Sequence, residues 1–315
     1  MPQSGEMRSL NVPNVTDSKP CVLLVDDEVF NLEILEELLG DQGYDCDTAA
    51  NGRQAVKLLT ANPGKYQTVL LDRMMPEMGG IEVMYFMKQD PRLRMIPVIM
   101  QTAKATKADI EEGLRAGILY YLTKPFAKDD LLGIVDTAVR YFYEHQDLCG
   151  QLKSKLEAIQ ERGSLEFRLL HEARDAATTL ATLAEDPNKV VVGLFELFAN
   201  AVEHGNLGIG FDFKSELQKT GNWLTEIERR QQLPENQHKT VSVDYRIQDG
   251  TVSYTVKDQG NGFNYREFLS INTARSLNMH GRGIAIAKVL SFDQLYYIDP
   301  GNQVVAQTSA AAWQP

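Results

Sequence analysis

Two sets of polar residues in this chain have the types and spacing to do chemistry. In the first, Asp26 and Asp27 follow the apolar run Cys21-Val25, Asp72 ends the run Thr68-Leu71, Thr102 ends a third, and Lys124 follows a fourth. Carboxylates gathered in one pocket repel each other. A Mg²⁺ ion, which takes hard oxygen ligands and shares them with phosphoryl groups, relieves that repulsion. A carboxylate beside such a metal can accept a phosphoryl group as an acyl phosphate. Thr102 can then hydrogen-bond the new oxygens, and Lys124 can pair with their charge. In the second set, Glu196 and Asn200 share a helix face at i, i+4, with Glu203 on a nearby turn. Asp258-Gln259-Gly260-Asn261-Gly262 and Gly281-Arg282-Gly283 follow. An amide oxygen can hold Mg²⁺ on a nucleotide's phosphates, and a carboxylate nearby can deprotonate an attacking hydroxyl. Glycines let the backbone approach a nucleotide, and a helix start after Gly283 offers free amides to phosphate.

Both sets need elements to carry them. Cys21-Val25, Tyr44-Ala49, Thr68-Leu71, Ile96-Met100 and Ile118-Leu122 read as strands. Glu28-Leu39, Gly52-Leu59, Gly80-Lys88 and Lys107-Arg115 carry helical spacing between them. This rhythm predicts a doubly wound, five-stranded parallel α/β sheet whose ligands sit at the carboxyl ends of the strands, where the first set of residues lies. Further on, the pattern predicts a helix over Phe167-Leu183, another over Val190-His204, a hairpin of Thr240-Ile247 with Thr251-Lys257, and a helix over Ile284-Leu290.

With Asp72-Arg73-Met74-Met75-Pro76-Glu77-Met78-Gly79-Gly80 and Tyr121-Leu122-Thr123-Lys124-Pro125-Phe126, the first third resembles the CheY-like receiver domains of response regulators. The resemblance implies Asp72 as phosphoacceptor, Asp26, Asp27 and Asp72 around Mg²⁺, Thr102 and Tyr121 as a switch pair, and a cis bond between Lys124 and Pro125. It also implies a cognate sensor histidine kinase as partner.

Glu196-Leu197-Phe198-Ala199-Asn200-Ala201-Val202-Glu203-His204-Gly205 and the two glycine motifs resemble the N, G1 and G2 boxes of GHKL ATPases, closest to anti-sigma-factor serine kinases. An α+β Bergerat-type sandwich is the fold this implies. The resemblance makes Glu196 the base for a protein serine, Asn200 the ligand of ATP-bound Mg²⁺, and Asp258 the acceptor for the adenine amino group. Gly260, Gly262, Gly281, Arg282 and Gly283 would line the nucleotide. Residues 265–280 would form a short lid with Arg275 on phosphate. His171-Glu172 invites a histidine-kinase reading, but Arg174-Asp175-Ala176-Ala177 lacks the Arg-x-Pro of those enzymes. Phe211-Arg230 is a helical insertion with no assigned role.

Between the two regions Leu131, Val135, Ala138, Phe142, His145, Cys149, Leu152, Leu156 and Ile159 alternate by fours and threes. This heptad seam predicts a parallel coiled coil and a homodimer, against the blander reading of a final receiver helix followed by a linker. The expected organisation is a tail at 1–19, the receiver at 20–128, the connector at 129–163, the ATPase-like domain at 164–308 and a tail at 309–315.

The whole chain, 315 residues with 43% hydrophobic and 24% charged content, has the composition of a soluble globular protein. A net charge of −11 argues against a nucleic-acid partner. Cys21, Cys46 and Cys149 follow no metal-ligand spacing, and no apolar run spans a membrane, so a cytoplasmic protein is expected. The expected function is a response regulator whose Asp72 controls an ATP-dependent serine/threonine kinase acting on an anti-sigma-antagonist-like protein or a sigma factor. A nucleotide-gated binding module without kinase activity and an atypical histidine kinase using His171 are the alternatives.

Overall fold

A computed structural model describes residues 19–103, 109, 112–113, 116–118, 120–152, 161–210, 213–214, 216–217, 222–266 and 283–312. The tail 1–18, most of the expected helix Lys107-Arg115, Leu156, Ile159, Arg275, Gly281, Arg282 and nearly all of the expected lid lie outside the described residues.

The first region forms β1 (Cys21–Val25), α1 (Val29–Gly40), β2 (Asp45–Ala49), α2 (Gly52–Ala61), β3 (Thr68–Asp72), α3 (Gly80–Gln89), β4 (Val98–Thr102) and β5 (Tyr120–Thr123). The strands make one parallel sheet in the order β2-β1-β3-β4-β5. β1, β3 and β4 are buried along their whole length, which explains why they read as continuous apolar runs. Their carboxyl ends bring Asp26, Asp72 and Thr102 to one edge.

The next element, α4 (Lys128–Leu152), is a single helix of 25 residues, about 37 Å long. Its seam corrects an expectation. Leu131, Val135 and Ala138 are fully buried in the receiver's own core, while Leu148 and Leu152 belong to the core of the second region. His145, 5% exposed, is buried between them. The seam is therefore satisfied within the chain from Leu131 to Leu152, and no stripe is left there for a coiled-coil partner.

The second region holds β6 (Arg162–Phe167), α5 (Leu170–Ala181), α6 (Pro187–Asn200), α7 (Trp223–Gln231), β7 (Val241–Gln248), β8 (Thr251–Lys257), α8 (Gly283–Ile286), β9 (Gln294–Ile298) and β10 (Gln303–Ser309). The strands form an antiparallel sheet in the order β6-β7-β8-β10-β9. The predicted β7–β8 hairpin closes through Asp249 and Gly250, both at positive φ, as a two-residue turn requires. The helix expected over Phe167-Leu183 begins later. Residues 162–167 pair with β7 instead, and Glu172 turns back to accept the Arg168 and Leu169 amides at 2.8 and 2.9 Å, which starts α5 at Leu170.

Candidate functional site

At the receiver edge, Asp26 is 1% exposed and held from two sides. Its carboxylate accepts the Glu28 amide at 3.0 Å and the Asn31 amide nitrogen at 3.1 and 3.2 Å. The ammonium of Lys124 donates to Asp26 Oδ2 at 2.7 Å and to Asp72 Oδ1 at 2.6 Å. The other Asp72 oxygen accepts the Met74 amide at 2.7 Å. Burial disfavours the Lys124 charge, but its hydrogen bonds and the charges of Asp72 and Asp26 outweigh that and raise its pKa. Thr102 is buried, and its carbonyl accepts the Lys124 amide, so β4 and β5 fix the lysine's backbone. Tyr121 is buried, with its hydroxyl donating to the Asp109 carbonyl at 3.3 Å. The Lys124–Pro125 bond is cis.

Two carboxylates converge, therefore, and Asp27 does not complete a third. It is exposed, and among the described residues no group of three or more His, Cys, Asp and Glu side chains stands close enough to hold a metal. Asp26 and Asp72 present the hard oxygen donors Mg²⁺ prefers, at a spot where one cation, Lys124, already balances both. Sequence reading missed the apolar rim of this end. Val29, Phe30 and Met74 are 61%, 70% and 78% exposed beside the acidic residues, and nothing in a helical spacing marks such residues as uncovered.

In the second region the three motifs meet. A Cβ on Gly205 would overlap the Asp258 carboxylate, and one on Gly260 would overlap the Gly205 carbonyl. A Cβ on Gly283 would overlap Glu196 Oε2 and lie 3.5 Å from Asn200 Nδ2. At Gly260 the obstacle is backbone, an approach that only glycine admits. Gly262, at φ +75°, lies against the Pro300 carbonyl, in a β9–β10 turn whose Asp299–Pro300 bond is also cis. Between these segments is a cavity of about 230 Å³ with Asn200, His204, Asp258, Phe263 and Tyr297 among its walls. Where α6 should have run on to His204, residues 201–206 widen into a π-helical turn, a distortion often found at functional sites.

Burial pushes the Asp258 carboxyl up to about 6, against the pull of the Gly260 amide, which it accepts at 2.8 Å. Burial likewise raises Glu196 to about 7. Lys214 pulls it down, and Glu144 and Glu203 push it up.

Several supporting residues carry no motif. Lys214, from the insertion that had no role, sits 2.6 Å from Glu203, which is 1% exposed. Arg230 of the same insertion donates to the Leu207 and Gly208 carbonyls. Asn206 accepts the Gln259 amide at 2.8 Å, and Asn302 donates to the Asp258 carbonyl at 3.2 Å, so both asparagines hold the loop that carries Asp258. Asn206 directly follows the N-box run and was the one legible candidate. Arg275, Gly281 and Arg282 lie outside the described residues, and His171 is exposed on the first turn of α5.

Comparison with known proteins bears on the first of these sites. The response regulator receiver domain matches residues 22–136. The polar-differentiation response regulator DivK of Brucella anthropi is 35% identical over 106 residues, covering 34% of this chain and 85% of that protein. A homolog of the transcriptional regulatory protein CpxR in Haemophilus influenzae is 37% identical over 119 residues, covering 38% of this chain and 50% of that protein. The chain thus spans only about half the length of some curated relatives that it matches, 56% in the case of a probable transcriptional regulator of Porphyra purpurea. The solved structure of chemotaxis protein CheY4 of Vibrio cholerae aligns at 27% identity and a TM-score of 0.37, covering 38% of this chain and 99% of that one. Among the described residues no helix is long and apolar enough to cross a membrane. Through residues 22–136 the chain belongs to the response regulator receiver family of two-component systems.

Proposed function

We propose that Asp72 accepts a phosphoryl group from a sensor histidine kinase and thereby controls an ATP-binding domain of the anti-sigma serine kinase type in the same chain. Asp26 and Asp72 would hold Mg²⁺ at the receiver, and Thr102, Tyr121 and Lys124 would read the phosphoryl group. In the second domain Asp258 would accept the adenine amino group, and Asn200 would hold the Mg²⁺ of ATP. Glu196 would take the proton of a serine on an anti-sigma-antagonist-like protein or a sigma factor. The bound metal and nucleotide would supply charge neutralisation and the phosphoryl group.

One observation carries the reading. Segments 196–205 and 258–262, more than fifty residues apart in sequence, line a single cavity together with Ile284, and Gly205, Gly260 and Gly283 stand in close contact with Asp258, the Gly205 carbonyl and Glu196. Chance glycines in turns would have no reason to abut Glu196 and Asp258. Labelled ATP supplied with purified protein and a candidate antagonist tests it. Label on an antagonist serine, lost in Glu196→Gln while nucleotide binding persists, supports the kinase. Retained transfer in that variant rejects Glu196 as the base.

A nucleotide-gated binding module is the second reading, favoured by the placement of α4 beside α6, where Glu196 lies. It expects ATP binding with no transfer. Acid-labile label lost in His171→Ala would instead support a histidine kinase.

A further inference from the structure

Gln101, the last residue but one of β4, is 0% exposed. Neither its side-chain oxygen nor its side-chain nitrogen has a hydrogen-bond partner among the described residues. A buried amide unpaired at both atoms costs stability, and an apolar side chain of the same shape would not. Its place in the sheet gives it a use. Side chains alternate between faces along a strand, and Leu24, Leu70, Ile99 and Leu122 pack on one face with Leu35 of α1 and Leu131 of α4. Two residues further along the four segments, on that same face, come Asp26, Asp72, Gln101 and Lys124.

Strand β4 lies between β3 and β5, and Gln101 is level with Asp72. Lys124, just after β5, therefore crosses β4 to donate to Asp72 on β3 and to Asp26 after β1. Gln101 is the β4 residue on the face it crosses. In an acyl phosphate the Asp72 carboxylate becomes a neutral acyl group with one carbonyl oxygen, and the charge moves out to the phosphoryl oxygens. Lys124 follows that charge. Thr102, the other residue that would read the phosphoryl group, adjoins Gln101 on β4, so the ammonium is drawn back over this strand. The exchange leaves an acyl oxygen in want of a donor and brings an ammonium, with its three donors, toward β4. Gln101 carries a donor for the first and an acceptor for the second.

We propose that Gln101 is a positioning residue of the phosphorylated receiver, whose amide nitrogen donates to the acyl oxygen of Asp72 and whose amide oxygen accepts from Lys124 once the phosphoryl group is in place. The inference rests on Asp72 as the phosphoacceptor and adds a residue to that site. Transfer breaks the phosphorus–nitrogen bond of a phosphohistidine, forms a phosphorus–oxygen bond to Asp72 and leaves the histidine to take up a proton. Gln101 exchanges hydrogen bonds and no proton. Its unpaired amide destabilises the resting receiver, and its pairing stabilises the phosphorylated one.

Beryllofluoride with Mg²⁺, a phosphoryl analogue that binds a carboxylate oxygen, is titrated into the full chain to test this. Gln101→Met keeps the length of the side chain and removes both polar atoms. Without ligand its unfolding midpoint is expected to rise, while its affinity for beryllofluoride falls about tenfold. A packing residue would not move the two in opposite directions. Equal affinity in variant and wild type would overturn the inference. The side-chain amide of Gln101, followed in ¹⁵N spectra of the wild-type chain, gives a reading that does not depend on how the variant folds. Its resonances are expected to move on saturation with beryllofluoride, and unchanged resonances would overturn the inference. Saturable binding lost in Asp72→Asn, but with Gln101 silent in both measurements, removes the role of Gln101 alone. No binding by the wild type, with no acyl phosphate formed from acetyl phosphate, removes the Asp72 reading and the inference with it.

Discussion

Asp258 illustrates how burial sets the working range of a single residue. Its carboxyl is pushed up to about 6, above the ordinary aspartate value. The ionised carboxylate is the stronger acceptor for an adenine amino group, so nucleotide affinity is expected to fall as pH drops below 6 and to level off above it. Titrations of Mg·ATP between pH 5 and 8 check this, and Asp258→Asn should remove both the affinity and its pH dependence. The stability of the nucleotide-free protein carries the opposite sign. A raised carboxyl pKa contributes stability below the unfolded value that is lost as pH rises through 6, so Asp258→Asn is expected to stabilise at pH 7 and to match wild type near pH 4. Lys124 works the other way, since it is the shared partner of Asp26 and Asp72. Lys124→Met leaves two facing carboxylates and is expected to cost roughly 1–3 kcal/mol, read from denaturant midpoints. The sequence named Asp26, Asp72 and Lys124 because strand ends are legible from apolar runs. It could not separate Asp27, exposed, from Asp26, buried, because adjacent positions share the same local pattern.

Glycines and helices decide what happens at the scale of elements. Gly205 lets the widened turn after α6 touch Asp258, and Gly283 lets α8 touch Glu196. Gly205→Ala must move one segment or the other. A loss of about 1–3 kcal/mol is expected, together with weaker Mg·ATP binding, by thermal unfolding and titration. Destabilisation without loss of binding would make Gly205 a packing residue only. Helices α1, α2, α3 and α6 and the β7–β8 hairpin were legible because their apolar periods and turn residues agree with one another. Strand β6 was not. Its burial alternates weakly along Arg162–Phe167, and its identity depends on hydrogen bonds to β7, some eighty residues away. The heptad seam was legible as a period but misleading as to partner. A 3.5-residue repeat records that a stripe is buried, not which chain buries it. Leu148, 2% exposed, shows which. Leu148→Ala is expected to cost about 2–5 kcal/mol and to lower the unfolding midpoint of the second domain, followed by hydrogen exchange in its sheet. A variant with an unchanged midpoint and a concentration-dependent mass would restore the coiled coil.

For the molecule as a whole, α4 is a common wall. Its first turns complete the receiver and its last turns complete the second core, so the two sites are joined by one rigid element. This arrangement suits the control of one site by the other, since any shift of α4 at the receiver must be felt along α6. The central claim is that a phosphoacceptor and an ATP site share this chain, and calorimetric titration of Mg·ATP into the full-length protein tests it most directly. Saturable binding at one site is expected, abolished by Asp258→Asn, weakened by Asn200→Ala and unaffected by Asp72→Asn. No heat of binding in the wild-type protein, or binding that Asp258→Asn leaves unchanged, would contradict it.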